Sequence, residues 1–320
     1  MTPGGSPVLL SHPACARHQA PGHPERPERI AAIEAALGAD VHLRTLPRQE
    51  PEPISRERLE RVHRPSFVEA IHRAGALADE SGEGSWVDPD TWLGPGSLRA
   101  ALLSAGAGAT AIEIVLGGQG GVAFSLCRPP GHHATGARAM GFCLFNNIAV
   151  AAQEAVEKGL ERVAIVDFDV HHGNGTEDIF YERSDVLYLS CHQSPLYPGT
   201  GAAGDRGRGE GEGFTVNVPM RPGAGDDEYL AVFDLVFGPA LREYRPELLL
   251  LSAGFDAHHR DALAQMEVTT AGYGLMGARI RDWADELCGG RSAWFLEGGY
   301  DLEGLSRGVV AVVTELYAGG

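Results

Sequence analysis

The chain has 320 residues, 43% of them hydrophobic, with 26 Lys and Arg against 43 Asp and Glu and a formal net charge of −17. That is enough apolar material for a substantial core and excludes a disordered chain. The acidic balance excludes bulk, nonspecific nucleic-acid binding, and it suits either a cationic substrate or plain solubility.

In chain order, the opening M-T-P-G-G-S-P-V-L-L has no basic segment leading into an apolar one, so no secretory leader is expected. The longest apolar stretches read as too short to span a membrane. A helix is expected over 97–116, a strand over 122–126 (V-A-F-S-L) and a helix over 146–158. Strands follow at 163–168 (V-A-I-V-D-F) and 186–191 (V-L-Y-L-S-C), then a glycine-rich loop at 199–213. The remainder reads as helix 227–244, strand 248–253 (L-L-L-L-S-A), helix 270–287, strand 293–296 (A-W-F-L) and helix 302–317. Near-continuous apolar strands alternating with helices predict an α/β fold, a parallel sheet covered on both faces. No stretch reads as a linker, so one domain is expected over residues 1–320. Five cysteines (Cys15, Cys127, Cys143, Cys191 and Cys288) are odd in number and lack a C-x-x-C pair. A disulfide framework is therefore not expected, and a reducing cytoplasm fits.

The chemistry-bearing residues follow the strand ends, where parallel sheets bind ligands. In D-F-D-V-H-H-G-N-G-T (167–176), alternation on an extended segment places Asp167, Asp169 and His171 on one face. Neighbouring buried carboxylates repel, and a divalent cation relieves that cost; the plainer alternative is an aspartate pair capping the next turn. Asp256, in S-A-G-F-D-A-H, follows another strand and is the natural third ligand, although G-F-D alone is equally a solvated loop. Two aspartates and a histidine leave coordination positions open, the arrangement of a catalytic site. The pair His132-His133 in R-P-P-G-H-H-A-T-G suits a general base and acid with pKa values split by environment. Tyr300, in E-G-G-Y, sits on a glycine-loosened turn from which a phenol reaches an oxyanion.

Taken together and in this order, R-P-P-G-H-H-A, G-F-C-L-F-N-N, D-F-D-V-H-H-G-N-G-T, Y-P-G-T-G, A-G-F-D-A-H and E-G-G-Y resemble the zinc-dependent histone deacetylase superfamily. That superfamily also holds acetylpolyamine amidohydrolases and acetoin-utilisation proteins. The resemblance runs from H-P-E-R-P-E-R (23–29) to the last helix. It implies an arginase–deacetylase fold, a central parallel sheet of about eight strands with helices on both faces. It implies Asp169, His171 and Asp256 as ligands of Zn2+ or Fe2+, so that Asp167 is not one. Asp167 is placed behind His132 and, with Ser190 nearby, at a structural K+ or Na+. His133 is implied as general base and acid, His132 as its electrostatic partner, and Tyr300 as the donor to the scissile carbonyl. Gly141, Phe142, Tyr197 and Leu263 match the acyl-lysine tunnel, Asp90 its mouth, and Arg29 an internal channel for acetate. His172 is expected to be structural.

Position 174 is Asn where one branch of the superfamily has Asp, so His133 is expected to be less basic than in that branch. The stretch 79–96 is short, without the long insertion of bacterial acetylpolyamine hydrolases, and Leu263 stands where a polyamine-selective glutamate would fall. Both features point to an acetylated lysine of a protein or peptide, or to a small acylated amine. The alternatives are an acetylpolyamine deacetylase and a non-catalytic acyl-lysine-binding module. The second predicts a lost ligand, histidine or tyrosine, and none is missing. No nucleic-acid or membrane partner is expected, and the sequence leaves oligomerisation open.

Overall fold

A computed structural model of the chain describes residues 6–117 and 121–318; the start of the segment read as leaderless (1–5) lies outside the described residues. The strands are β1 (Val8–Leu10), β2 (Arg48–Gln49), β3 (Ser85–Asp88), β4 (Thr91–Leu93) and β5 (Val122–Ser125). They continue with β6 (Val163–Asp167), β7 (Val186–Gln193), β8 (Thr215–Met220), β9 (Leu248–Ala253) and β10 (Ser292–Leu296). The helices are α1 (Glu28–Ala39), α2 (Arg56–Leu59), α3 (Pro65–Ser81), α4 (Ser97–Leu116) and α5 (Asn147–Glu157). After them come α6 (Asn174–Phe180), α7 (Asp226–Val232), α8 (Gly238–Tyr244), α9 (Thr270–Cys288) and α10 (Leu302–Ala318).

Among the described residues, eight strands form one sheet in the order β2-β1-β5-β10-β9-β6-β7-β8, and every neighbouring pair is parallel. The expected α/β architecture is therefore present. Strand pleating divides the apolar runs between two cores. Leu249 and Leu251 enter one core with Val166 and Trp294, beneath α9 and α10. Leu248 and Leu250 enter the other with Ile165 and Phe295, beneath α4 and α5. Burial on both faces explains why these strands lack polar alternation.

The expectation that no segment is long and apolar enough for a membrane is corrected by α4, whose 20 residues pass by length and composition. Most of α4 is buried against α5 and β5, which makes it a core helix. The helix read over 227–244 is α7 and α8 joined by a π-helical turn at Phe233–Phe237, whose aromatic ends fill the first core. The stretch 79–96 carries the antiparallel hairpin β3–β4 rather than an unstructured connection. All five cysteines are buried and free.

Candidate active site

The four adjacent central strands β5, β10, β9 and β6 deliver the chemistry. His132 and His133 follow β5, Tyr300 follows β10, Asp256 follows β9, and Asp169 and His171 follow β6. Sheet order thus gathers residues that are far apart in the chain.

Strand β6 ends at Asp167, and the chain then turns. The alternation expected through residue 171 stops there, and Asp167 does not join the other two groups in the ligand cluster. Its Oδ2 receives hydrogen bonds from His132 Nδ1 at 3.0 Å and the Tyr188 hydroxyl at 3.1 Å. Its register partner on β7 is Ser190, whose Oγ lies 2.9 Å from His192 Nδ1.

Asp169, His171 and Asp256 come together instead, each offering one ligand atom, with all three atoms within 4.8 Å of one another. His171 Nδ1 stands 3.2 Å from Asp169 Oδ1 and 3.1 Å from Asp256 Oδ2. Backbone amides orient the carboxylates: His171 N donates to Asp169 Oδ1 at 2.9 Å, Gly298 N to Asp169 Oδ2 at 2.7 Å, and Val170 N to Asp256 Oδ1 at 3.0 Å. Gly298 is required for this approach, because a Cβ there would lie 1.9 Å from Asp256 Oδ2. Burial, and then the charge of Asp169, push the Asp256 carboxyl up to about 6. Two buried carboxylates and an imidazole are a donor set that fits a divalent cation.

His132 and His133 lie with ring centres 4.0 Å apart. Burial opposes protonation of His132, but Asp167, Asp169 and Glu297 outweigh it and carry the imidazole up to about 10. His133 is pulled well below the ordinary range, first by burial and then by the charges of His132 and His171. At neutral pH these shifts favour a cationic His132 beside an uncharged His133. His133 Nδ1 lies 2.8 Å from Asn174 Oδ1, which can only accept, so Nδ1 carries the hydrogen and Nε2 keeps a lone pair. Asn174 begins α6.

His132, His133 and His171 line a cavity of about 270 Å³ with Asp90, Gly141, Phe142, Tyr197, Leu263 and Tyr300. Gly141 adopts φ 57°, and a Cβ there would lie 2.3 Å from the His133 ring, so this wall requires glycine. Phe142, at φ 71°, is held by Thr91 Oγ1, which accepts from its amide at 3.0 Å. Asp90 Oδ1 accepts from Gly141 N at 3.0 Å, holding this residue against the cavity wall. The Tyr300 ring packs edge-on against Phe142 at 5.7 Å, and burial raises its phenol well above the usual range. Arg29 stands over the Tyr300 ring at 5.0 Å and donates to Gly299 O and Glu297 O at 2.7 and 2.5 Å. His172 bonds Thr200 and Glu177 behind the site and does not line the cavity.

The sequence reading missed Glu297, Glu25 and Asp261. Glu297 Oε2 accepts from Gly131 N at 2.7 Å and His132 N at 3.2 Å, while its Oε1 accepts from Ser252 Oγ at 3.1 Å. It clamps the histidine loop to β9 and β10. Glu25 accepts from both Arg29 and Arg128 in a fully buried ion-pair network. Both glutamates lie inside quoted motifs, E-G-G-Y and H-P-E-R-P-E-R, so motif position was the available signal.

The Histone deacetylase domain family matches residues 23–316. The chain is 44% identical to histone deacetylase 10, chloroplastic, of Oryza sativa over 312 residues, covering 91% of this chain and 69% of that protein. It is 42% identical to the histone deacetylase-like amidohydrolase of Pseudomonas aeruginosa over 299 residues, covering 93% and 77%. The crystal structure of the HDA15 HD domain superposes with a TM-score of 0.90 at 39% identity, covering 98% of this chain and 88% of that one. With an Asp-His-Asp cluster, a tandem histidine and a tyrosine on the rim of one parallel sheet, the chain belongs to the histone deacetylase family.

Proposed function

We propose that the chain is a zinc-dependent deacetylase that hydrolyses the amide of acetyl-lysine side chains, or of similarly acylated amines, releasing acetate. The carrying observation is the neutral His133, its Nε2 free, in a cavity that Tyr300 and His171 of the Asp169–His171–Asp256 cluster also line. Bound at that cluster, a divalent cation would polarise the acyl carbonyl and acidify a water near neutral pH. His133, kept uncharged by burial and by its cationic neighbour, takes the proton of the attacking water and returns it to the departing amine. Tyr300, kept un-ionised, donates to the carbonyl oxygen as negative charge develops on it. His132, paired with Asp167, holds positive charge beside that reaction. The register of Asp167 against Ser190 supports a monovalent cation beneath His132. Phe142 and Tyr197 supply apolar walls for an alkyl chain, and five buried free thiols suit a reducing compartment.

Tyr300→Phe is expected to cut kcat by about 10²–10³-fold with metal content unchanged. Near-normal turnover by this variant would remove Tyr300 from the oxyanion role. Turnover of an acetyl-lysine peptide measured against N-acetylputrescine assigns the substrate class, with the peptide expected to have the higher kcat/KM. Asn174→Asp adds a negative charge beside His133 and raises its pKa. Because the base must be unprotonated, the acidic limb of the kcat/KM profile then moves to higher pH. A limb that stays in place shows that residue 174 does not tune the base.

A further inference from the structure

We infer that Asp261 is the positioning residue that fixes Tyr300 and, through the same carboxylate, the Leu263 wall of the cavity mouth. This rests on the assignment of Tyr300 as oxyanion donor. Asp261 is 6% exposed. Its Oδ2 accepts from the backbone amides of Tyr300 at 2.6 Å and Asp301 at 3.0 Å, and its Oδ1 accepts from Leu263 N at 3.0 Å. A single side chain therefore saturates three amides in two loops that are distant in sequence.

The need for such a tie lies in the turn itself. Tyr300 follows Gly298 and Gly299, and Gly299 adopts φ 117°, so the backbone has little intrinsic preference for one placement of the phenol. Upstream, the turn is anchored by Gly298 N on Asp169 Oδ2; downstream, Asp301 caps α10 by accepting from Gly304 N at 2.7 Å. The amide of Tyr300 itself is held by Asp261. Leu263 and Tyr300 also line a second cavity of about 580 Å³ beside the first, and Asp261 borders it. The two side chains are the partition between these spaces. Releasing the carboxylate gives the phenol room on the far side of that partition, while Phe142 and Tyr197 still grip the alkyl chain. The cost falls on the transition state rather than on substrate binding.

Asp261→Asn keeps the shape but offers one neutral acceptor oxygen in place of two charged ones, so either the Leu263 amide or the Tyr300 and Asp301 amides lose their acceptor and those still held are held more weakly. Expected is a kcat lower by about 10–100-fold with KM within about threefold of wild type. Amide exchange at Tyr300 and Asp301 is expected to accelerate, while exchange in the rest of α10 is unchanged. In the Tyr300→Phe background, Asp261→Asn is expected to add less than about threefold, because the hydroxyl it positions is already gone. Asp261→Glu tests the geometry and is expected to restore part of the exchange protection. Wild-type kcat in Asp261→Asn, or multiplicative losses in the double variant, overturns the positioning role. Normal turnover in Tyr300→Phe alone would instead refute the functional assignment of the tyrosine.

Discussion

Asp256→Ala is expected to lower deacetylation by at least about 10⁴-fold, the scale of losing Lewis-acid stabilisation worth several kcal/mol. The side chain has two duties. Oδ2 faces the cluster beside His171, and Oδ1 accepts from Val170 N, fixing the turn that carries Asp169 and His171. Alanine deletes a ligand and frees that amide together, so bound zinc per chain should fall with turnover. Asp256→Asn separates the duties, because the amide oxygen still accepts from Val170 N while the ligand charge is gone. It is expected to keep the fold and its melting temperature, to bind zinc weakly, and to regain part of its turnover at high zinc. Elemental analysis after dialysis and a zinc titration of kcat check both variants. Full turnover by a zinc-free Asp256→Ala protein would show that the cluster does not hold the catalytic cation.

Strands β6 and β9 were legible in the sequence because they are apolar on both faces, and the groups directly after them read correctly as a rim. The edge strands β2 and β8, and β1 beside the first of them, were not. β1 has three residues, β2 has two exposed ones, and β8 (T-V-N-V-P-M) alternates buried and partly exposed positions and contains a proline. Such segments carry no continuous hydrophobic signal. Asp167 illustrates the limit of pattern arguments: periodicity assigned it to the metal face because the strand was extended too far, and resemblance, not spacing, removed it. Glu297 was marked only by its place in E-G-G-Y, and Asp261 by nothing, for another reason. Both accept backbone amides from a remote loop, and any residue can donate such an amide, so no local pattern marks the partner. The apolar length of α4 was underrated, since its 20 residues reach a membrane span by length and composition; their burial against neighbouring elements, which no composition reveals, makes it a core helix.

His133→Ala is the second large effect, with kcat expected to fall by about 10³–10⁴-fold, at the upper end of general acid–base contributions. The upper end is warranted because the proposed mechanism assigns both proton transfers to this one imidazole. His132 is not a substitute: Asp167 and Asp169 keep it protonated, and its Nδ1 is committed to Asp167. The acidic limb of the kcat/KM profile separates this from a loss of fold. In wild type that limb reports protonation of the base, and with burial and the cationic His132 lowering the His133 pKa, it lies below the ordinary imidazole range. Removing the side chain removes that limb, so the residual rate should be flat across it, with zinc content unchanged. Stability should be affected little, because the vacated volume opens onto the cavity and fills with water rather than leaving a sealed void. His132→Ala makes the contrast sharper. It strands the Asp167 carboxylate at the fully buried end of β6, so it is expected to destabilise the fold by about 3 kcal/mol or more while leaving His133 in place. If instead His132→Ala shows the larger loss of kcat and the flat acidic limb, the base is the first histidine of the pair and the two roles are exchanged.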